Sequence, residues 1–251
     1  MNELFKFHKT LRQVRDAARQ RGVMAVLDIG TSKIVCLVVR LEYHDTNAGR
    51  GPVNAMNGQA DFRVIGAATT RARGMKFGEI NAMGEVERAI RTAIQSAQKM
   101  AGVRVDHVLV AFSGARPRSY GLAGEVEIPG QKVHEHDIGR VLESCEMPDF
   151  GANRGVIHAQ PVNFYVDRAH QVADPRGLSG RSLGTDVHVV TTNEDVLSNV
   201  AYCIQRCDLE LAGIACESYV SARASLVEDE QEIGAACVEP DQHKNSRAGH
   251  V

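Results

Sequence analysis

The residues best suited to chemistry in this chain lie together in one short segment: Asp28, Gly30, Thr31, Ser32 and Lys33. Apolar runs at 23–27 and 34–39 flank the segment, which predicts two buried strands joined as a β-hairpin. Its turn would present backbone N–H groups, two hydroxyls and an ammonium at one place, which suits a phosphate. Asp28, at the end of the first strand, could orient a metal ion or its water. We predict a phosphate-binding turn, with an ordinary hairpin turn as the alternative.

Two well-known phosphate motifs do not fit this turn. It lacks the Gly-Lys-Ser/Thr of a Walker loop and the Gly-x-Gly-x-x-Gly of a dinucleotide-binding fold. It resembles instead the first phosphate loop of the actin, Hsp70 and sugar-kinase ATPases.

The composition describes an ordinary globular protein. The 251 residues allow one large or two modest domains, and a formal charge of −2 gives no argument for nucleic acid as a partner. Neither a run of about 18 apolar residues nor a secretory signal is found in the sequence. The six cysteines are scattered through apolar segments, as is typical of reduced thiols in a cytosolic protein. We therefore predict a cytoplasmic location.

Two further groups of metal-binding residue types are weaker candidates. Cys203 and Cys207 lie one helical turn apart, but no second ligand pair has matching spacing. His134 and His136 stand beside Asp137 at a predicted helix start, where we expect them to be solvated. We therefore predict no independent metal site.

The elements that would position the turn follow from hydrophobic periodicity. A strand is predicted at 61–70, a helix at 84–101 that Gly102 ends, and a continuous apolar strand at 108–112. The order of three strands, a helix and a fourth strand is that of the first half of a ribonuclease-H-like core. This order predicts an α/β fold around the hairpin.

The pattern changes after residue 114. Short strands at 121–128, 155–159 and 162–167 and a helix at 135–145 predict a small α+β insertion over 113–185. A returning strand (186–191) and a helix capped by Thr192 follow, then a strand (209–215) and a helix (218–226). An acidic turn (228–232) precedes a last buried strand at 233–238, and an unpatterned polar tail occupies 239–251.

The first 22 residues hold six Lys or Arg against two acids, a charge of +4. Leu4, Phe5, Phe7, Leu11 and Val14 give them a weak amphipathic pattern. We expect a poorly ordered basic extension, with a helix on a membrane or partner surface as the alternative.

Over residues 22–238 the sequence resembles the FtsA family of bacterial cell-division proteins. The resemblance includes the blocks at 108–114, 177–180, 187–191 and 226–234, of which Leu-Ser-Gly (178–180) and Glu-Asp-Glu (228–230) separate FtsA from sugar kinases and Hsp70. It implies an actin-like fold whose first subdomain is 22–112 plus 186–222, with an inserted SHS2-type subdomain at 113–185. Residues 223–238 would open a second large subdomain.

The resemblance also implies function. An FtsA protein binds ATP with magnesium, polymerises on the cytoplasmic side of the inner membrane, ties FtsZ to that membrane and recruits later division proteins. Gly30, Thr31, Ser32 and Lys33 would face the β- and γ-phosphates, and Asp28 would lie near the metal. No catalytic residue is implied, and the protein would be a scaffold rather than an enzyme.

One departure from the family is large. The second phosphate loop, Asp-x-Gly-Gly-Gly-Thr, is replaced by Glu239-Pro-Asp-Gln242, and the second lobe and C-terminal membrane helix do not follow. We therefore expect a truncated or frameshifted form, with impaired binding of ATP and FtsZ. The alternatives are a sugar or metabolite kinase of the same fold, a pilus-assembly or cell-shape relative, and a non-functional remnant.

Overall fold

The computed structural model describes residues 17–18, 20–43, 60–114, 116–130, 132–168 and 170–237. The chain divides into two compact units, each with its own sheet. Unit 1 comprises residues 1–115 and 195–251, and unit 2 comprises residues 116–194. The predicted insertion lies at the position of unit 2.

The sheet of unit 1 has five strands: Val23–Ile29 (β1), Lys33–Tyr43 (β2), Ala60–Arg71 (β3), His107–Phe112 (β6) and Glu210–Cys216 (β11). Their order is β11-β6-β1-β2-β3. β1 is parallel to β6 and β6 to β11, whereas β2 is antiparallel to both of its neighbours. Between β3 and β6 the chain forms a two-stranded hairpin, Met75–Lys76 (β4) and Glu79–Ile80 (β5), which sequence reasoning missed. The predicted α/β class is confirmed.

The helix Met83–Ala101 (α1) packs on one face of this sheet, against β2 and β3. Its apolar positions recur at helical spacing and are buried, and Gly102 ends it in a left-handed conformation with φ of 66°. At Gly66 the helix approaches so closely that a Cβ would lie 2.3 Å from the Ala97 carbonyl oxygen. Three further helices lie in the C-terminal part of the described chain: Glu194–Arg206 (α3), Glu217–Ser225 (α4) and Glu228–Ile233 (α5).

Unit 2 has a four-stranded antiparallel sheet: Arg118–Glu127 (β7), Arg154–Val166 (β8), His170–Val172 (β9) and Ser182–Asn193 (β10). The order is β7-β10-β8-β9, and the helix Glu135–Glu143 (α2) packs against β7 and β10. Six buried side chains form its own core: Ile128, Val133, Val141, Phe164, Val166 and Leu183. A small domain with an independent core matches the α+β character predicted for this part of the chain.

Several element predictions were wrong in detail. The segments 155–159 and 162–167 are parts of one strand, β8, interrupted by register shifts. The strand predicted at 186–191 belongs to β10, in the sheet of unit 2. Thr192 is the penultimate residue of that strand, and α3 begins two residues later at Glu194.

The end of the described chain also differs from expectation. The acidic segment 228–232 is not a turn but lies in the helix α5. Ile233 ends α5 and is 84% exposed, and residues 234–237 form no strand with any described part of the chain. Residue 238, the polar tail and most of the basic extension lie outside the described residues. In the described part of the chain, no helix is long and apolar enough to cross a membrane.

Candidate functional site

The candidate site lies at one edge of the sheet in unit 1. Because β1, β6 and β11 are parallel, their carboxyl ends meet at this edge, where Ile29 pairs with Phe112 and Phe112 with Cys216. Clefts at the carboxyl ends of parallel strands are common ligand sites in α/β proteins. The sequence-predicted phosphate turn begins directly after β1, so the topology places it here.

The turn itself is a tight hairpin. The Gly30 N–H donates to the Lys33 carbonyl oxygen at 3.1 Å, and the Ser32 carbonyl accepts from the Ala72 N–H at 3.0 Å. Thr31 is half-buried, whereas Ser32 and Lys33 are exposed. The Gly30 amide is thus engaged within the turn, which leaves the two hydroxyls and the Lys33 ammonium as the side-chain groups able to meet a phosphate.

Asp28 is electrostatically unusual. One carboxylate oxygen, Oδ1, is buried and has no hydrogen-bond partner among the described residues. Burial raises the pKa of Asp28, the nearby Glu217 carboxylate raises it further, and the Lys33 ammonium opposes both effects. A buried carboxylate oxygen without a partner is costly in a folded protein. A cation bound at this edge would relieve that cost.

Glu217 is a site residue that sequence reasoning missed. It is the first residue of α4 and directly follows β11, so the parallel sheet brings it close enough to Asp28 to perturb its pKa. The signal was available, since Glu217 is the first polar residue after a predicted strand. Its relevance depended on knowing that β11 runs parallel to β1 with only β6 between them.

A backbone contact borders the same edge. Gly114, two residues beyond β6, meets Gly78 in the β4–β5 turn, where Gly78 has a φ of 72°. A Cβ on Gly114 would lie 1.9 Å from the Gly78 carbonyl oxygen and 2.3 Å from the ring of Phe112. Only glycine fits there, and this contact holds the β4–β5 hairpin against the end of β6.

The donor set suits a metal that arrives with a phosphate ligand. The carboxylates of Asp28 and Glu217 are hard oxygen ligands of the kind that magnesium prefers. Waters and substrate phosphates usually complete the coordination shell of a protein-bound magnesium ion. Within the described residues, no group of three or more His, Cys, Asp or Glu side chains could hold a metal alone.

The other chemical candidates form no such arrangement. Cys203 is buried in α3 and Cys207 is buried directly after it, where the thiol of Cys207 lies 3.7 Å from the Glu87 carbonyl oxygen. His134 and His136 are exposed at the start of α2, as expected. Asp137 beside them accepts from the His134 N–H at 3.0 Å and from Arg140 at 3.1 Å, a structural role at the helix terminus.

Unit 2 has a shallow groove of about 350 Å³ on the outer face of its sheet. Its floor is made of small residues, including Gly124 and Gly184, and the Tyr165 hydroxyl donates to Asp186 at its side. Arg168 pairs with Glu125 at its rim. All four polar groups are paired, so the groove presents no unpaired charge to a ligand.

Known proteins resemble this chain in both units. A family model described as the SHS2 domain inserted in FtsA matches residues 114–191. The Cell division protein FtsA of Rhizobium meliloti is 31% identical over 223 residues, covering 88% of this chain and 49% of that protein. The Pseudomonas aeruginosa protein of the same name is 36% identical over 224 residues, covering 89% and 50%.

The Escherichia coli Cell division protein FtsA is more distant, at 27% identity over 222 residues, 88% of this chain and 49% of that protein. The chain thus spans about half the length of the curated relatives it matches. A solved structure, the PilM–PilN type IV pilus biogenesis complex, aligns with a TM-score of 0.46 and 13% identity over 80% of this chain and 49% of that one. That score is too low to carry an argument about this chain. The SHS2 match in unit 2 and the FtsA relatives that span both units agree, so the predicted resemblance to the FtsA family of cell-division proteins is confirmed.

Proposed function

We propose that this chain acts in bacterial division as an FtsA-type scaffold, an actin-like protein that binds ATP with magnesium. A protein of this type would link the FtsZ ring to the cytoplasmic side of the inner membrane, self-associate into polymers and recruit later division proteins. In this chain, which spans about half the length of those relatives, we expect the binding of ATP and FtsZ to be impaired. The observation that carries the proposal is the coincidence of residues 114–191, matched as the SHS2 domain inserted in FtsA, with the separately folded unit 2. A generic actin-fold kinase has no need of this inserted domain.

The nucleotide would bind at the carboxyl edge of the unit 1 sheet. Thr31 and Ser32 would donate hydroxyl hydrogen bonds to phosphate oxygens, and the Lys33 ammonium would balance their charge. Asp28 and Glu217 would hold magnesium, either directly or through its bound waters. The metal would make those waters more acidic and fix their positions. Each group lies at the edge described above, and the buried Oδ1 of Asp28 is the strongest sign that a cation belongs there.

We further propose that the protein is not a metabolic enzyme. A sugar kinase needs a base positioned to take a proton from a substrate hydroxyl. Both carboxylates at this edge are better placed for metal binding, because each lies at a strand end beside the phosphate turn. Any ATP hydrolysis would be slow and would serve assembly.

A nucleotide titration of the 251-residue protein tests the site. One phosphate turn contributes a few charge-assisted hydrogen bonds of about 1.5–3 kcal/mol each before the cost of association. We therefore expect ATP–magnesium to bind with a Kd of about 1 mM or weaker, measured by NMR shifts. The shifts should localise to residues 28–33 and 217 and should weaken in Lys33→Ala.

A matched control is Lys76→Ala, which removes an exposed lysine from the β4–β5 hairpin without touching the turn. If Lys76→Ala weakens binding as much as Lys33→Ala, the ammonium acts only through general charge and the site assignment is wrong. A micromolar Kd would overturn the expectation of weak binding. Kinase function would require phosphoryl transfer to a sugar or metabolite, which a screen of hydroxyl acceptors detects.

The scaffold role has its own test in dividing cells. A fluorescent fusion of the chain should gather at the division site, and its overproduction should lengthen cells by competing for division partners. Diffuse fluorescence together with normal cell length would argue for the non-functional alternative.

A further inference from the structure

The outer face of the unit 1 sheet, opposite α1, carries an apolar surface that the described residues cover only in part. Met24 and Val39 are buried there, and four half-buried side chains pack against them: Val26, Leu37, Leu41 and Leu109. Ala18 is fully buried in the same cluster and is its only member outside the sheet.

The surface continues onto the edge strand β3. Phe62 pairs with Leu41 and Val64 with Val39, so these side chains share the outer face. Phe62 is 71% exposed and Val64 47% exposed. Apolar side chains at neighbouring positions of an edge strand are a liability that proteins usually cover.

The sequence before Ala18 has the pattern of an element that could cover this face. Leu4, Phe7, Leu11 and Val14 precede Ala18 at alternating spacings of three and four residues, so all five would share one side of a helix. Lys9 and Arg12 would lie on the other side. The last member of the stripe, Ala18, is in helical conformation and is already packed against Met24 and Val39.

The geometry at the end of this stripe directs the chain over the sheet. Gly22, with φ of 68°, turns the chain from helix into β1, and its carbonyl accepts from the Leu41 N–H at 2.8 Å. Arg21 pairs with Asp106 beside the start of β6. A helix from Leu4 to Ala18 would be about 21 Å long, close to the roughly 23 Å of a seven-residue strand such as β1.

We propose that residues 1–16 bind as an amphipathic helix on the outer face of the unit 1 sheet, with the stripe from Leu4 to Val14 packed on β1, β2 and β3. The occupant is thus a segment of this same chain, joined to the face through Ala18. Its basic side would then face solvent, where it remains available for anionic partners.

Photo-crosslinking of the full chain tests this arrangement. Benzoylphenylalanine placed at Leu11, on the stripe, should form intramolecular crosslinks to peptides from β2 or β3, including those with Leu41 or Val64. The same probe at Arg12, on the opposite side, is the matched control and should lose these crosslinks. Crosslinked peptides are identified by mass spectrometry after digestion.

Each other occupant gives a distinct result that overturns the proposal. Crosslinks from Leu11 to residues 44–59 or 238–251 without any to the sheet would show that the segment binds elsewhere in the chain. Intermolecular crosslinks would show a second copy on this face. If anionic phospholipid vesicles abolish the internal crosslinks and yield lipid adducts, the segment prefers a membrane surface.

A stability comparison provides an independent readout. Leu11→Asp would place a charge on the apolar face and should lower the midpoint of urea unfolding, whereas Arg12→Asp should not. Equal midpoints for the two variants would contradict the docking of the stripe, even if both proteins fold normally.

Discussion

The buried carboxylate of Asp28 leads to the sharpest prediction, that Asp28→Asn stabilises the protein while weakening its response to nucleotide. The native state holds Oδ1 without a hydrogen-bond partner and places Glu217 nearby, so ionised Asp28 is unfavourable there. An unsatisfied buried polar group costs about 1–3 kcal/mol. Asparagine removes the charge, keeps one oxygen and replaces the other with an NH2 group of similar size, so we expect a gain on the order of 1 kcal/mol at neutral pH.

The pH dependence has a definite sign. Because folding raises the pKa of Asp28 above its ordinary value of 3.8, the native state holds this proton more tightly than the unfolded state. The stability linked to that proton is complete below the unfolded-state pKa and is lost as the pH rises through the folded-state pKa. Asp28→Asn should therefore match the wild type in acid and exceed it at neutral pH.

The assay is urea unfolding followed by circular dichroism at about pH 3 and about pH 7, with and without ATP–magnesium. Glu217→Gln should also stabilise the protein, because it removes a like charge. The gains should not add in the double variant, since the repulsion is already absent once either residue is neutral.

A lower stability of Asp28→Asn than of the wild type at neutral pH would contradict this prediction, because ionised Asp28 would then have a favourable partner. It also fails if the two gains add fully, since Glu217 would then act on some other group. Retention of the magnesium-dependent nucleotide effect in Asp28→Asn would remove Asp28 from the proposed site without touching the stability argument.

Two further variants test the packing of each unit. Gly66→Val should lower the unfolding free energy by about 1–3 kcal/mol, because a Cβ there would lie 2.3 Å from the Ala97 carbonyl oxygen. The control is Gly84→Ala, where no atom lies within 4 Å of the added Cβ, and it should be neutral or slightly stabilising in thermal unfolding. Equal losses of stability in the two variants would show that α1 does not approach β3 so closely. Asp137→Asn should destabilise unit 2 at neutral pH, because the His134 N–H and the neighbouring charges of His136 and Arg140 lower the Asp137 pKa. That loss should vanish as the pH falls through the folded-state pKa, and a pH-independent difference would point to packing rather than charge.

Local patterns in the sequence were sufficient for the elements that carry the site. The hairpin of β1 and β2 followed from two apolar runs around a polar turn, and its antiparallel pairing is confirmed. The helix α1 followed from a repeat of apolar residues at helical spacing, and Gly102 ends it as predicted. These features depend on neighbours within a few residues, which is why periodicity and turn chemistry reveal them.

Features that depend on pairing between distant segments of the chain were harder to predict from the sequence. The apolar pattern at 186–191 predicts a strand equally well in either sheet, and β10 pairs with β7 and β8 of unit 2. The apolar residues from Ile233 predicted a strand for the same reason, yet Ile233 lies in the helix α5 and residues 234–237 pair with no described strand.

The sequence by itself determined the hairpin, the composition of the phosphate turn, the helix α1 and the resemblance to FtsA. Only the tertiary structure brought Glu217 beside Asp28, left Oδ1 buried without a partner and set Gly114 against Gly78. The physical reason is that turn chemistry and periodicity are properties of adjacent residues, whereas the electrostatics of a site arise from charges that strand order brings together. Asp28 and Glu217 lie far apart in the chain and meet because β1, β6 and β11 are parallel neighbours.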